Sequence, residues 1–401
     1  MASHPMATPP ASEVLITGIG LVSSLGEGID AHLRQGAEGA QPVLETERYR
    51  PRAVHPLPAI DWSAQIPKKD QRQMETWQRL GVYAAGLALT DAGIPADEET
   101  RSRVDMIVAA GGGERDLAVD ALAVARARGL ADPEPVLNEV LSSELRPTLF
   151  LAQLSNLVAG NISIVHKVTG SSRTFMGEEG AGVSAVQVAA ARIASGQSDV
   201  CLVGGAFSSE RLDLLVNYEL GHFLLDGDWR PVFSREGHGG LVPGSVGAFL
   251  ILESGGHARS RGASSYATVR GTLADRGPRD AGGVGTRLSR LVEEVGASDR
   301  DLLVLSGATG LTEPTREERE VLTAALPNAA LRAYGDRVGH SFEAHFTTGI
   351  ALAAAALSRG VVPAPSAGGE ERGADFSPRA ALVTSVGHVR GEAVCLLERS
   401  A

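Results

Sequence analysis

The sequence predicts an α/β protein arranged as a five-layer αβαβα sandwich of two similar halves. Apolar runs of strand length alternate with helix-length segments, a pattern that gives mostly parallel sheets covered by helices. The alternation starts again after Gly255, dividing the chain into halves of unequal length, 13–255 and 256–401. The segment Ser184 to Ser195 is a small, apolar helix, suited to a buried middle layer that both halves share.

The elements follow in order. Glu13 to Gly20 is a short β-type run ending in glycines, and Asp30 to Gly36 reads as a helix. Residues Pro42 to Pro67 are loop-rich. Lys68 to Ile94 reads as one long amphipathic helix, with Met74, Trp77, Leu80, Ala84 and Leu87 on its core stripe. Gly93 and Pro95 stop it. Val104 to Ala110 is a buried strand opening into Gly111-Gly112-Gly113. Further strands are expected at Asp199–Gly205, Val246–Glu253, Tyr266–Gly271, Leu302–Gly307, Ala381–Val386 and Glu392–Leu397. Helices are expected at Gly285–Val295 and Thr348–Ser358.

Composition narrows the function classes. The chain has 401 residues, 43% hydrophobic and 21% charged, with 37 basic and 48 acidic residues and a formal charge of −11. No basic run stands out, which argues against nucleic acid as a partner. No apolar run has membrane-spanning length, so no membrane is expected and the cytoplasm is the default. The first twelve residues are polar and Pro-rich, a loose tail rather than a signal peptide. Cys201 and Cys395 sit in apolar strand-like runs as buried thiols, too few for a disulfide framework or a zinc site. No metal or cofactor is expected. Gly18-Ile19-Gly20 lacks the third glycine and the acid of a dinucleotide fingerprint, since Ser23 stands in the glycine's place.

The most informative stretch is Gly160 to Gly182. It reads as a strand, a tight turn and a helix, the layout of a nucleophile elbow, and its turn carries Glu178-Glu179. Acidic residues in a first helical turn complement the helix dipole and by themselves imply no chemistry.

Several segments in register resemble the β-ketoacyl synthases of the thiolase-like superfamily. They are Ile16 to Gly26, Lys68 to Gly93, Leu154 to Gly160, Asp199 to Ala206 and Arg230 to Glu253. The resemblance implies the thiolase-like fold. In active members a cysteine at the elbow takes the acyl chain, and counting back from Gly196 puts Glu179 at that position. A thiolate works there because the helix N-terminus lowers its pKa and backbone N–H groups form an oxyanion hole. A carboxylate is a poor, unactivated nucleophile. The family's first histidine aligns with Thr309 and its lysine with Gly335, while His340, in Gly339-His340-Ser341, matches the second histidine. The glycine-rich turn after it is replaced by Glu343-Ala344-His345-Phe346, and the closing glycine-rich loop by Val386 to Gly391. His340 is read as a packed, hydrogen-bonded relic, and His345 and His388 likewise. Glu179, Thr309 and His340 are therefore degenerate positions, and no catalytic residue is assigned.

The resemblance implies a non-catalytic chain length factor, paired with an active ketosynthase as a heterodimer and reached by an acyl carrier protein through that complex. Such subunits commonly carry glutamine at the lost cysteine, so glutamate is a departure. The stretch matching their tunnel-gating helix presents Leu117, Ala118, Ala121 and Leu122, small or aliphatic residues expected to line a tunnel or the interface. The motifs around His340 and Gly244 differ from those of the aromatic-polyketide chain length factors, so the resemblance leans toward type II polyketide synthesis of the polyene or highly reducing kind. The alternative is a malonyl-carrier decarboxylase or starter-generating homologue. Another option is that Glu179 makes a buried contact that holds the pocket shut.

Overall fold

The computed structural model describes residues 12–34, 41–147, 149, 153–235, 237, 239–298, 300–369 and 371–400. The N-terminal tail to residue 11, and residues 35 and 36 of the first expected helix, lie outside them. The strands are β1 (Val14–Ser23), β2 (Gly26–Glu27), β3 (Asp105–Ala109), β4 (Ser172–Phe175), β5 (Val200–Phe207) and β6 (Val246–Ser254). They continue as β7 (Ala267–Asp275), β8 (Leu302–Ser306), β9 (Ala330–Ala333), β10 (Ala380–Val386) and β11 (Glu392–Arg399). Their spatial order is β4-β3-β5-β6-β1-β7-β11-β10-β8-β9, with β2 attached to β1. If the short β2 is set aside, each half has the same plan: third, second, fourth, fifth, first. The central strand β3 runs parallel to β4 and β5, and β8 runs parallel to β9 and β10. The remaining ladders are antiparallel, including β5 with β6 and β10 with β11. The sheets are thus mixed rather than mostly parallel. Residues 387–391 link β10 to β11 as a hairpin, a connection that only antiparallel neighbours allow. The halves join where Val14–Ile16 of β1 pairs with Ala267–Val269 of β7.

Strand residues alternate between two sides, and both sides are buried. Leu303 and Leu305 of β8 face a central cluster with Ile107 and Val203 from the first half. Leu302 and Val304 face an outer cluster with Leu288 and Leu322. The central layer is made by the helices Glu178–Ala194 and His345–Arg359. Their buried faces are rich in alanine (Ala181, Ala185, Ala189; Ala351, Ala354), which combines high helix propensity with small volume and lets helices and sheets approach closely. The helix Thr76–Asp91 covers the outer face of the first half against Met106, Val108, Leu202 and Ile251. The helices Gly283–Val295 and Thr312–Ala325 cover that of the second. Five layers result.

Some sequence expectations change. The segment expected as one helix from Lys68 breaks into Lys68–Gln71 and Thr76–Asp91, because Glu75 and Gln78 form a capping box that starts the second piece. That helix is buried nearly all round rather than on a stripe; Met74 lies ahead of it and Leu87 is only half-buried. The start of the Gly160 stretch is a helix, Leu157–His166, since Val158, Ala159 and Ile162 recur at helical spacing; the strand before the elbow is β4. Gly18 and Gly20 lie inside β1 rather than in a phosphate-binding turn. A Cβ on Gly20 would come 1.9 Å from Ala84 O, so these glycines admit the Thr76–Asp91 helix. Among the described residues, no helix is long and apolar enough to cross a membrane.

Candidate functional site

The elbow follows the end of β4. Gly177 has φ 125° and Glu178 φ 54°, so the chain turns through the left-handed region before the Glu178–Ala194 helix begins. A non-glycine residue there costs on the order of 1–2 kcal/mol. The turn sets Glu179 in the first helical turn, 3% exposed. Two other segments converge on it. The Gly335–Val338 turn leads to His340, and the β10–β11 hairpin brings His388. Behind the helix, the Phe342–Ala344 turn presses against Gly182, where a Cβ would lie 2.6 Å from Glu343 O. Phe342 has φ 43° and stacks on Tyr218 at 4.5 Å.

Glu179 is held on both oxygens. His340 Nε2 donates to Oε1 at 2.6 Å. His388 Nδ1 lies 3.0 Å from Oε1 and 3.2 Å from Oε2, and the His388 backbone N–H donates to Oε1 at 3.1 Å. Burial pushes the Glu179 carboxyl up, but hydrogen bonds from the two imidazoles outweigh it and hold the group well below the usual carboxylate range. Burial works against charge on His388 too, yet the Glu179 carboxylate prevails and raises its pKa. On His340 burial wins and the pKa falls, so its proton stays on Nε2 and Nδ1 has no partner. The carboxylate thus favours its ionised form, makes His388 easier to protonate than a free imidazole, and leaves His340 harder to protonate. Glu178 Oε1 lies 3.5 Å from His388 Nε2.

The remaining predicted positions are placed as follows. Thr309 is buried, and its hydroxyl accepts from Leu311 N at 3.2 Å within its own loop; it does not reach Glu179. Gly335 supplies no side chain, and a Cβ there would make ordinary contacts with Val232 Cγ2 at 3.7 Å, Ala308 O at 3.8 Å and His345 Cε1 at 4.0 Å. His345 Nε2 donates to Gly307 O at 3.2 Å, and its ring sits 4.2 Å from that of His340. Burial and His340 hold its pKa well below normal. Leu117, Ala118 and Ala121 are exposed on the Leu117–Ala127 helix, and Leu122 is half-buried against Val140 of the Glu134–Glu144 helix. Sequence reasoning missed that His388, Tyr218 and Glu343 surround the elbow. The Glu343-Ala344-His345 replacement was the available signal for Glu343.

The chemistry open to this arrangement is narrow. Glu179 is ionised, and the His388 N–H, a backbone donor aimed at the helix head, is already occupied. Cys201 and Cys395 are buried strand residues with raised pKa values, Cys395 up to about 12, so neither replaces the missing thiolate. Donor atoms of Glu178, Glu179 and His388 lie within 4.8 Å of one another, as metal ligands could, but His388 and Glu179 already satisfy each other by hydrogen bonding. A cavity of about 360 Å³ reaches Glu179 past Ser184, Arg276 and Arg390. A second, of about 330 Å³, opens beyond Glu178 toward Gly111–Gly113.

Comparison with known proteins fits this geometry. The chain is 25% identical over 267 residues to 3-oxoacyl-[acyl-carrier-protein] synthase 2 of Vibrio harveyi, covering 64% of this chain and 61% of that protein. The match therefore spans about three fifths of the relative's length. A solved structure of the ishigamide ketosynthase/chain length factor superposes with TM-score 0.77 and 20% identity, covering 98% of this chain and 100% of that one. The AntDE:AntF structure, a type II polyketide synthase acyl-carrier protein in complex with its ketosynthase, has TM-score 0.75 and 16% identity over 97% of this chain and 100% of that one. Residues 11–258 match the β-ketoacyl synthase N-terminal domain, and the chain belongs to the β-ketoacyl synthase family.

Proposed function

We propose that this chain is a non-catalytic, chain-length-factor-like subunit. It pairs with an active β-ketoacyl synthase, meets the acyl carrier protein through that complex, and shapes the acyl tunnel in type II polyketide synthesis of the polyene or highly reducing kind. The observation that carries this reading is the carboxylate at the elbow, tied on both oxygens by His340 and His388 where an acyl-accepting thiolate would be needed. The likeness to a ketosynthase/chain length factor supports it. So does the surface. β4 is an outermost strand with pairing on one side only, which leaves backbone groups open for another chain. Beside it Ile164 and Met176 are 60% and 64% exposed. Leu117 and Val124, on the helix expected to meet the partner, are 37% and 68% exposed.

The ionised Glu179 speaks against the decarboxylase alternative. Decarboxylation develops an enolate, and two like charges about 4 Å apart at an effective dielectric of about 20 repel by roughly 4 kcal/mol. That penalty slows a step by orders of magnitude.

The test is co-expression with a cysteine-bearing β-ketoacyl synthase from the same source, followed by incubation with loaded carrier protein and intact-mass spectrometry. A one-to-one complex with the acyl adduct on the partner is expected. An adduct on this chain, or condensation by this chain alone, refutes the proposal.

A further inference from the structure

The cavity of about 330 Å³ beyond Glu178 is lined by aromatic rings, carboxyls, Arg115, Arg211 and neutral polar groups. Trp77, Phe207 and Tyr218 give largely buried aromatic surface, and Glu178 and Glu343 give carboxyls. Glu343 is 6% exposed and lies so close to Gly111 that a Cβ there would come 2.7 Å from its Oε1. Among the described residues no side chain donates a hydrogen bond to it; its donor is its own backbone N–H.

The neighbouring cations are committed elsewhere. Arg211 binds Asp213 at 2.6 and 3.2 Å and donates to Gly112 O and Gly113 O, each at 2.7 Å. Arg115 pairs with Asp120 at 2.7 Å. His388, nearest to Glu178, is held by Glu179. Of the charged residues that line the cavity, Arg211 and Arg115 are each paired with an aspartate, so among the described residues neither Glu178 nor Glu343 has an arginine ion pair. Burial raises the pKa of both Glu178 and Glu343, the latter to about 7, against the opposing pull of His388 on the first and of Arg211 on the second.

We propose that this cavity binds a monocation of the alkylammonium or guanidinium class, held by Glu343 and Glu178 with its carbon stem against Trp77 and Tyr218. Carboxyls beside aromatic faces suit a cation twice over, by charge and by the ring quadrupole. The same walls are ill matched to a saturated acyl chain, which would strip water from both acids without pairing them. The guest is either the basic end of a side chain from a second subunit or a free small amine. The binding claim rests on the cavity alone; only the choice between sources uses the function proposed above.

The full chain, alone and in complex with its ketosynthase, is titrated with n-butylammonium chloride at mildly alkaline pH, with sodium chloride and n-butanol as controls. Binding is read by ligand-observed NMR. Saturable binding of the ammonium but not of the controls, at least tenfold weaker in Glu343→Gln, supports the proposal. Circular dichroism verifies that this variant is folded, and Glu178→Gln, which removes the second carboxyl, should weaken binding in the same direction. A complex that blocks the ammonium and dissociates tenfold more readily with Glu343→Gln assigns the guest to the partner's side chain. A complex that still binds the ammonium assigns it to a free amine. Equal responses to all three probes, with a complex indifferent to Glu343→Gln, overturn the inference. Failure of any complex to form counts against the proposed function and leaves the isolated-chain result to decide the cavity.

Discussion

At residue 179 a single side chain decides whether the elbow can carry an acyl group, and under the function proposed above restoring sulfur is not expected to restore an enzyme. A Glu179→Cys variant places a thiol at a helix N-terminus beside His388, conditions that favour the thiolate. Iodoacetamide and a loaded carrier should then modify position 179, as read by peptide mass mapping, while condensation stays undetectable. Thr309 is tied to its own loop, and Gly335 offers no ammonium group. Condensation by the variant would show that the loss rests on one residue. The substitution at 179 was legible in the sequence because the elbow is local: turn, glycines and small helix lie within two dozen residues. The hold on Glu179 was not. His388 lies 209 positions away and His340 lies 161, and only the folded sheet sets either ring against the carboxylate.

At the level of elements, the site depends on segments that approach too closely for any side chain. Gly244 N donates to His340 O at 2.9 Å, and a Cβ on Gly244 would stand 1.8 Å from Val338 O. The obstacle is backbone and cannot swing aside, so Gly244→Ala should cost on the order of 3 kcal/mol or more and displace the His340 turn. Gly256 is the control. A Cβ there meets nothing within 4 Å, and Gly256→Ala in its short helix should be neutral or stabilising by up to about 1 kcal/mol. Urea denaturation of the two variants measures the contrast; equal midpoints would contradict it. Sequence periodicity located the strands flanking these contacts because both their faces are buried. It misread 160–166 because a short apolar run suits helix and strand alike, and it ran through the break at 72–75 because a capping box depends on side-chain reach rather than hydropathy.

At the scale of the molecule, the strand plan is repeated but the core is shared. The cluster around the central helices draws Ile107 and Val203 from one half and Leu303 and Val383 from the other. Neither half keeps a closed interior without its counterpart. The three tryptophans, Trp62, Trp77 and Trp229, all lie in the first half, so their fluorescence reports that half, whereas far-ultraviolet circular dichroism reports both. The two signals should give coincident urea transitions. Separate midpoints would mean that the halves unfold on their own. This level was the most legible in the sequence, because layer order follows from alternation and from one alanine-rich segment, whereas the mixed strand directions depend on connections that alternation does not encode.

The helix that carries Glu179 in its first turn lies in the middle layer, packed into the core that both halves share. The elbow cannot be discarded whatever side chain it carries, since removing that turn would unseat the interior of the whole chain. Its tip carries an acid gripped by two imidazoles, a structural fastening that ties the head of the middle layer to the His340 turn and the β10–β11 hairpin.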